Sequence, residues 1–428
     1  MKLSFKKILK NPWFRMFCTL PRKYDLVLLA SCIALSLIGI VYIGSASMST
    51  MFNNLSGINN SGSAMMVMFW AIIKQAVFLI MSLLVMCFVC NQYRFEKFRM
   101  PLSKEHYNHL KEEIKINFTF LPGILIAIGG CLLLCLIFPA INGTHAWINL
   151  GFMTLQPAEF AKVAMIMMVA GTFCKARSKA SSWEVVRPVL LVLLVYCVII
   201  VFLQNDFGSA VVLGLVTVSC CMLPTDDRLR IWQKWVAIGL GGALLLALFI
   251  LSPLGMKLVE NLPLAEYQIN RILTSVDPFY DRYGAGFQVS NSLIAFTRGG
   301  LFGSGLGTSI QKFGYLPFAD SDFIIAVIAE EGGLLVLSTI FLLYGIIIYR
   351  LISYAVKVKK DENKVILIGT ATYLFVHMLF NIGGATAFIP LTGVPLLMLS
   401  SGGSSLMSWY AAVGLSQSVI SRYRRGEE

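Results

Sequence analysis

One polar segment, Asp277-Pro-Phe-Tyr-Asp281-Arg282-Tyr-Gly284-Ala-Gly286-Phe-Gln288, gathers carboxylates, a guanidinium, an amide and turn-forming glycines in a chain that is otherwise mostly apolar. A carboxylate such as Asp281 can take a proton from an attacking hydroxyl. Cations nearby can offset charge on a departing phosphate, so the set suits glycosyl or phosphoryl transfer. Arg271, Arg298 and Lys312 lie in the same stretch, and Glu159, Lys162 and Asp206 are charged residues in or beside apolar runs. Glu159 and Lys162, at i and i+3, share a helix face. No cluster has zinc-ligand spacing and no Ser-His-Asp set is suggested, so no metal site is assigned.

The elements that must position these residues are membrane helices. Hydrophobic residues make up 57% of the 428, and charged residues only 13%, about half the share of an ordinary soluble domain at roughly 25%. Runs of about 20 apolar residues read as spanning helices. Ten such runs are expected, at about 24–47, 65–90, 118–139, 157–174, 188–204, 207–223, 235–252, 321–349, 365–385 and 395–418. The fold class is therefore all-α and polytopic. A basic leader covers 1–23, a single membrane domain 24–420 with one long loop at 253–320, and a tail 421–428. The first apolar run is too long for a cleavable signal peptide. Ten cysteines, none in the long loop, read as small buried hydrophobes rather than a disulfide framework or a redox pair, despite the Cys87-Phe-Val-Cys90 spacing.

The net charge of +13 reflects where the bases fall rather than a nucleic-acid partner, because Lys and Arg accumulate in cytoplasmic loops. With the N-terminus inside, 28 of the 35 Lys and Arg residues lie on one side, while the short loops 48–64, 140–156 and 386–394 hold none. Both termini are expected in the cytoplasm and the Asp281 loop outside.

Each charged position also has a purely structural reading. Glu159 and Lys162 could be an ion pair holding helices together, and Asp206 the N-cap of the sixth span. His377 and Asn381, four apart, are expected to hydrogen-bond between helices. Lys74, within the second span, could snorkel or pair. The stretch 91–117 could be an interfacial helix, with no chemistry assigned to His106 or His109. Leu301-Phe-Gly-Ser-Gly-Leu-Gly307 follows no strand, so close backbone approach explains its glycines better than nucleotide binding.

The sequence resembles the SEDS family, the FtsW, RodA and SpoVE proteins of bacteria, over nearly its whole length. The resemblance rests on Gln156-Pro-Ala-Glu159-Phe-Ala-Lys162, on Gln204-Asn-Asp206-Phe-Gly208, and on the Asp277–Gln288 segment with Asn291-Ser292-Leu-Ile-Ala. It extends to Gly299-Gly-Leu-Phe-Gly303-Ser-Gly-Leu-Gly307, Gln311-Lys-Phe-Gly-Tyr-Leu-Pro317, Ser321-Asp322-Phe-Ile, Ala329-Glu330-Glu331-Gly, Pro390-Leu-Thr-Gly393-Val-Pro395 and Gly402-Gly-Ser-Ser405. The chain departs from the family pattern at Ala146, where Arg often precedes Trp147, at Phe318-Ala-Asp320-Ser-Asp322-Phe323, and at Ser401.

The resemblance implies a peptidoglycan glycosyltransferase that polymerises lipid II at the outer face of the bacterial cytoplasmic membrane and releases undecaprenyl diphosphate. It implies Asp281 as the catalytic residue and Glu159, Lys162, Asp206, Arg282, Gln288, Ser292 and Arg298 as substrate-binding positions. It implies a class B penicillin-binding protein (a transpeptidase) as partner, within the division or elongation machinery, and room for a Mg²⁺ or Mn²⁺ ion. Gln311-Lys-Phe-Gly-Tyr-Leu-Pro leans toward the division branch, which works at the septum. A lipid II flippase, an O-antigen ligase or polymerase, and a non-catalytic division scaffold are the rival readings. The absence of an internal repeat counts against a transporter, and a scaffold would not need Asp281.

Overall fold

A computed structural model describes residues 20–54, 61–94, 120–173 except 142 and 152, 181–260 except 226 and 251, and 266–427 except 280. The leader through residue 19 and most of the 91–117 stretch lie outside the described residues. Ten helices occupy the ten apolar runs: α1 (Leu26–Asn54), α2 (Ser61–Gln92), α3 (Leu121–Leu134), α4 (Pro157–Phe173), α5 (Ser182–Val198), α6 (Phe207–Cys221), α7 (Arg230–Ile250), α11 (Ile324–Lys357), α12 (Asp361–Ala385) and α13 (Gly403–Arg425). Three more, α8 (Pro253–Glu260), α9 (Glu266–Val276) and α10 (Phe287–Gly299), lie in the long loop. The strands among the described residues are a small antiparallel pair, β1 (Ile148–Asn149) and β2 (Thr154–Leu155), just ahead of α4.

Among the described residues, six helices are long and apolar enough to cross a membrane. That is fewer than the ten runs expected, because α3, α4 and α6 are short and α13 carries polar residues turned inward. Ser404, Ser405, Ser408, Ser416, Gln417, Ser418 and Ser421 of α13 are all buried, and α13 packs along α2, with α4 and α12 against it as well. The opposite case is α7. None of its residues is buried, and its start is held to the bundle by Trp232 stacking on Trp183 of α5, ring centroids 5.5 Å apart.

Boundaries shift where capping outweighs hydropathy. The fifth run begins near 188, but α5 starts at Ser182. Ser181 accepts from the Glu184 N–H and the Glu184 carboxylate returns to the Ser181 N–H, a capping box that sets the start. Pro188 is simply carried inside. The last run begins near 395, yet α13 starts only at Gly403. Residues 395–402 form an irregular buried strap whose backbone is served by side chains: Ser400 Oγ accepts from Leu396 N at 2.8 Å and donates to Ser321 O at 2.7 Å.

The largest irregularity is inside α11. Gly333 has φ 64° and ψ −168°, which breaks the helix. Irregular backbone at membrane depth must find hydrogen bonds within the protein. It finds them in the glycine-rich loop: Ser304 N donates to Glu330 O at 2.9 Å, Gly305 N to Glu331 O at 3.0 Å, and Leu334 N to Gly300 O at 3.0 Å. A Cβ at Gly303, where φ is +77°, would lie 2.1 Å from Glu331 O. The expectation of close backbone approach therefore holds here.

Candidate active site

Pro157 opens α4, where a missing N–H costs nothing, and places Glu159 in the first turn with Lys162 one turn on. Lys162 Nζ donates to Glu159 Oε1 at 2.6 Å and to His377 Nε2 at 3.0 Å. Glu159 Oε2 accepts from Tyr373 OH at 2.8 Å. His377 Nδ1 lies 2.9 Å from Pro395 O; donating there makes Nε2 the acceptor, so the ring is neutral. Glu159, Lys162 and His377 are each at most 1% exposed. His377 makes the expected interhelical bond, to Lys162 of α4, whereas Asn381 bonds non-helical backbone instead: its Nδ2 donates to Val394 O at 2.9 Å and to Asp322 O at 3.1 Å. Hydropathy missed His377 and Tyr373 as partners of the pair. The signal available was a His one turn beyond a Tyr in an apolar run, a polar face that lipid would not accept.

Asp206 is the N-cap of α6, with Oδ1 accepting from Ser209 N at 3.0 Å. Its Oδ2 accepts from Gln156 Nε2 at 2.9 Å, which ties the start of α6 to the start of α4. Gly208, two residues on, sits against the strap's approach: a Cβ there would lie 2.6 Å from Thr392 O. On the other side of the strap a Cβ at Gly393 would lie 3.6 Å from Asp322 Oδ2. Asp322 lies just ahead of α11. Burial first, then neighbouring Asp320, pushes its carboxyl up to about 6, with Arg271 pulling the other way. Thr392 and Gly393, leading into the strap, thus pass close to Gly208 beside Asp206 and to Asp322, and Pro395 of the strap meets His377, the partner of Lys162.

Asp281 is exposed in the turn between α9 and α10. Its Oδ1 accepts from Gly284 N at 3.0 Å and its Oδ2 from Ala285 N at 2.7 Å. The glycines permit this fold-back. A Cβ at Gly284 would lie 2.1 Å from Asp281 Oδ2, and one at Gly286 would lie 2.4 Å from Pro278 O. A carboxylate has about four lone-pair sites, so two backbone donors fix its direction and leave acceptor capacity toward solvent. Asp277 makes a simpler turn, accepting from Phe279 N at 3.0 Å.

The other loop positions divide. Arg271 and Arg282 are exposed, and Gln288 is half-buried at the start of α10. Ser292 is fully buried and donates to Ala385 O at 2.7 Å, so it fastens α10 to α12. Arg298 pairs with Glu330 at 3.5 Å. Lys312, read as a loop cation, is fully buried against Glu331 at 2.7 Å. The structure brings Glu159, Lys162 and Asp206 together around the start of α4 and the strap. The hydrogen bonds of the Asp281 carboxylate stay within its own turn.

The family model for cell cycle proteins of the FtsW, RodA and SpoVE type matches residues 25–425. The chain belongs to this family. Among similar FtsW/RodA/SpoVE proteins, the probable peptidoglycan glycosyltransferase FtsW of Haemophilus influenzae is 31% identical, over 92% of this chain and 89% of its own. The FtsW of Bacillus subtilis is 31% identical over 92% of this chain and 90% of its own. The stage V sporulation protein E of Bacillus subtilis is 34% identical over 71% of this chain and 79% of its own. Among solved structures, a chain of a peptidoglycan synthase complex that coordinates polymerisation and crosslinking aligns with a TM-score of 0.64 at 25% identity, covering 94% of this chain and 98% of that one. The rod shape determining protein RodA of Thermus thermophilus, at 22% identity and a TM-score of 0.56, shares the fold. These neighbours agree with an all-α integral membrane protein.

Proposed function

We propose that this chain is a peptidoglycan glycosyltransferase that polymerises lipid II at the outer face of the cytoplasmic membrane. The observation that carries the reading is the Asp281 carboxylate, held by two backbone N–H groups and open to solvent. Asp281 takes the proton from the 4-hydroxyl of the acceptor's N-acetylglucosamine. The oxygen bonds to the anomeric carbon of the donor's N-acetylmuramic acid as the bond to the lipid diphosphate breaks, with inversion. Arg282 and Arg271, both exposed, are the cations proposed to offset the charge of that leaving group. Lys162 acts from beneath the strap as a buried positive charge that Glu159 holds in place. The described residues offer no three-ligand cation site. A Mg²⁺ or Mn²⁺ ion, if bound, would supply further charge to offset the diphosphate.

A division role is part of the same proposal, supported by similarity to FtsW proteins in a family described as cell cycle proteins; a class B penicillin-binding protein is the proposed partner, and the Lys and Arg asymmetry of the loops supports cytoplasmic termini. The deciding assay is the purified chain with such a transpeptidase and labelled lipid II. Glycan polymer is the expected product, and its absence alongside lipid II translocation would favour a flippase. Orientation is tested separately in a Cys-depleted chain. Tyr283→Cys, at a position 87% exposed, is expected to react with an impermeant thiol reagent from outside, and Lys360→Cys only after permeabilisation. The reverse pattern would overturn an outer-face site.

A further inference from the structure

The break in α11 carries two glutamates that the proposed chemistry does not use. Glu330 is 1% and Glu331 2% exposed. The Glu330 carboxylate accepts from Ser309 Oγ at 2.5 Å, Ile310 N at 3.1 Å and Gln311 N at 3.3 Å. Glu331 Oε1 accepts from Lys312 Nζ at 2.7 Å and from Ser309 N at 3.3 Å. Ser45 of α1 closes the set, accepting from Lys312 Nζ at 2.8 Å and donating to Glu331 at 2.8 Å. A helix break alone asks only for backbone partners. Here ionised side chains are added, and buried ion pairs are weak devices for stability compared with well-packed apolar residues. Their use is specification of geometry.

What they specify is the far end of α10. Arg298, in the last turn of α10, pairs with Glu330, and a Cβ at Gly299 would lie 1.9 Å from Ala329 O, so helix and break are in backbone contact. The near end of α10 grows directly out of the Asp281 turn: Gly286 N donates to Asp281 O at 2.9 Å, and Ser290 N to Gly286 O at 2.9 Å. A single helix of 13 residues thus connects the glutamate cluster to the exposed carboxylate. We propose that the Glu330–Glu331–Lys312–Ser45 cluster is a positioning device. It fixes α10 against the broken α11, which Ser45 ties to α1, and through α10 sets where the Asp281 turn stands. The proposal rests on the reading of Asp281 as the proton acceptor. Asp281 touches substrate; the cluster acts through it.

The test uses the full chain in a Cys-depleted background with Tyr283→Cys as a reporter beside Asp281, read by the rate of maleimide modification. Polymerisation of lipid II is measured in the matching chain with Tyr283 intact. The main variant is Lys312→Met/Glu331→Gln, which removes both charges together and so leaves no bare buried ion. It is expected to insert and accumulate like the parent and to modify several-fold faster at position 283. Its kcat is expected to fall about 10²-fold, as small misplacements of reacting groups cost. KM should stay within about two-fold, the signature of an interaction needed only in the transition state. Lys312→Arg keeps the charge and the Glu331 contact and is expected to recover most of the rate. Ser309→Ala, which strips a single hydrogen bond from Glu330, gives the same pattern more weakly and serves if the double variant fails to accumulate. Unchanged modification at 283 together with unchanged kcat overturns the proposal, as does a loss confined to protein level in every variant. If the parent itself makes no polymer while the reporter still responds to the double variant, the enzymatic reading fails and the positioning link stands.

Discussion

Asp281→Asn yields a protein that inserts, accumulates and binds its transpeptidase, and makes no detectable polymer from lipid II. Asn keeps the size of the side chain, and its carbonyl oxygen can still accept from one of the two N–H groups, Gly284 or Ala285, that orient the carboxylate. It cannot take a proton. A positioned base is typically worth about 10²–10⁴-fold, which places the variant below the detection limit of a gel assay. Exposure protects the fold, since no buried partner is stripped by the change. Asp277→Asn is the control in the same turn. Its single contact to Phe279 N is one an Asn oxygen can also make, so polymerisation is expected to persist. A near wild-type rate for Asp281→Asn would remove the proton-acceptor assignment and leave the scaffold reading ahead.

The second large effect is at Lys162. Lys162→Met strips the Glu159 carboxylate of its cation, and His377 Nε2 of its donor, in surroundings at most 1% exposed. Breaking a buried pair from one side costs about 3–5 kcal/mol, a large part of a fold's net stability. Low accumulation of the single variant is the expected result. The double variant Lys162→Met/Glu159→Gln removes the bare charge and is expected to recover protein level without recovering polymer. Quantitative blotting of the membrane fraction beside the lipid II assay separates the two. A double variant that polymerises at the parental rate would reduce the pair to an internal brace.

The sequence showed where the helices lie because lipid leaves apolar length as the dominant requirement. The Glu159–Lys162 pairing was legible from i, i+3 spacing, and Asp206 as an N-cap from its place before an apolar run. What was not legible is who meets whom across the bundle. His377 read as an interhelical hydrogen-bonder without a named partner, and Tyr373 did not stand out, until α12 is laid beside α4. Lys312 read as a solvent-facing cation because its partner, Glu331, lies across a loop, and the loop's descent into the break of α11 depends on φ at Gly333, which hydropathy does not encode. The strap at 395–402 reads as helix because it is apolar. Only Ser400, whose hydroxyl accepts from Leu396 N, and Ser401, which donates to the Asp320 carboxylate, mark it as irregular.

The polar character of α13 has a consequence for biogenesis. A segment with seven buried Ser and Gln side chains between Ser404 and Ser421 gains little by partitioning into bilayer on its own. The helices that receive it, α2, α4 and α12, all precede it in the chain. Its seat along α2, beside α4 and α12, is therefore in place when it arrives, so it docks against polar partners rather than inserting alone. A chain stopped before Gly403 would insert its earlier spans yet stay open along that seam, a substrate for membrane quality control rather than an enzyme.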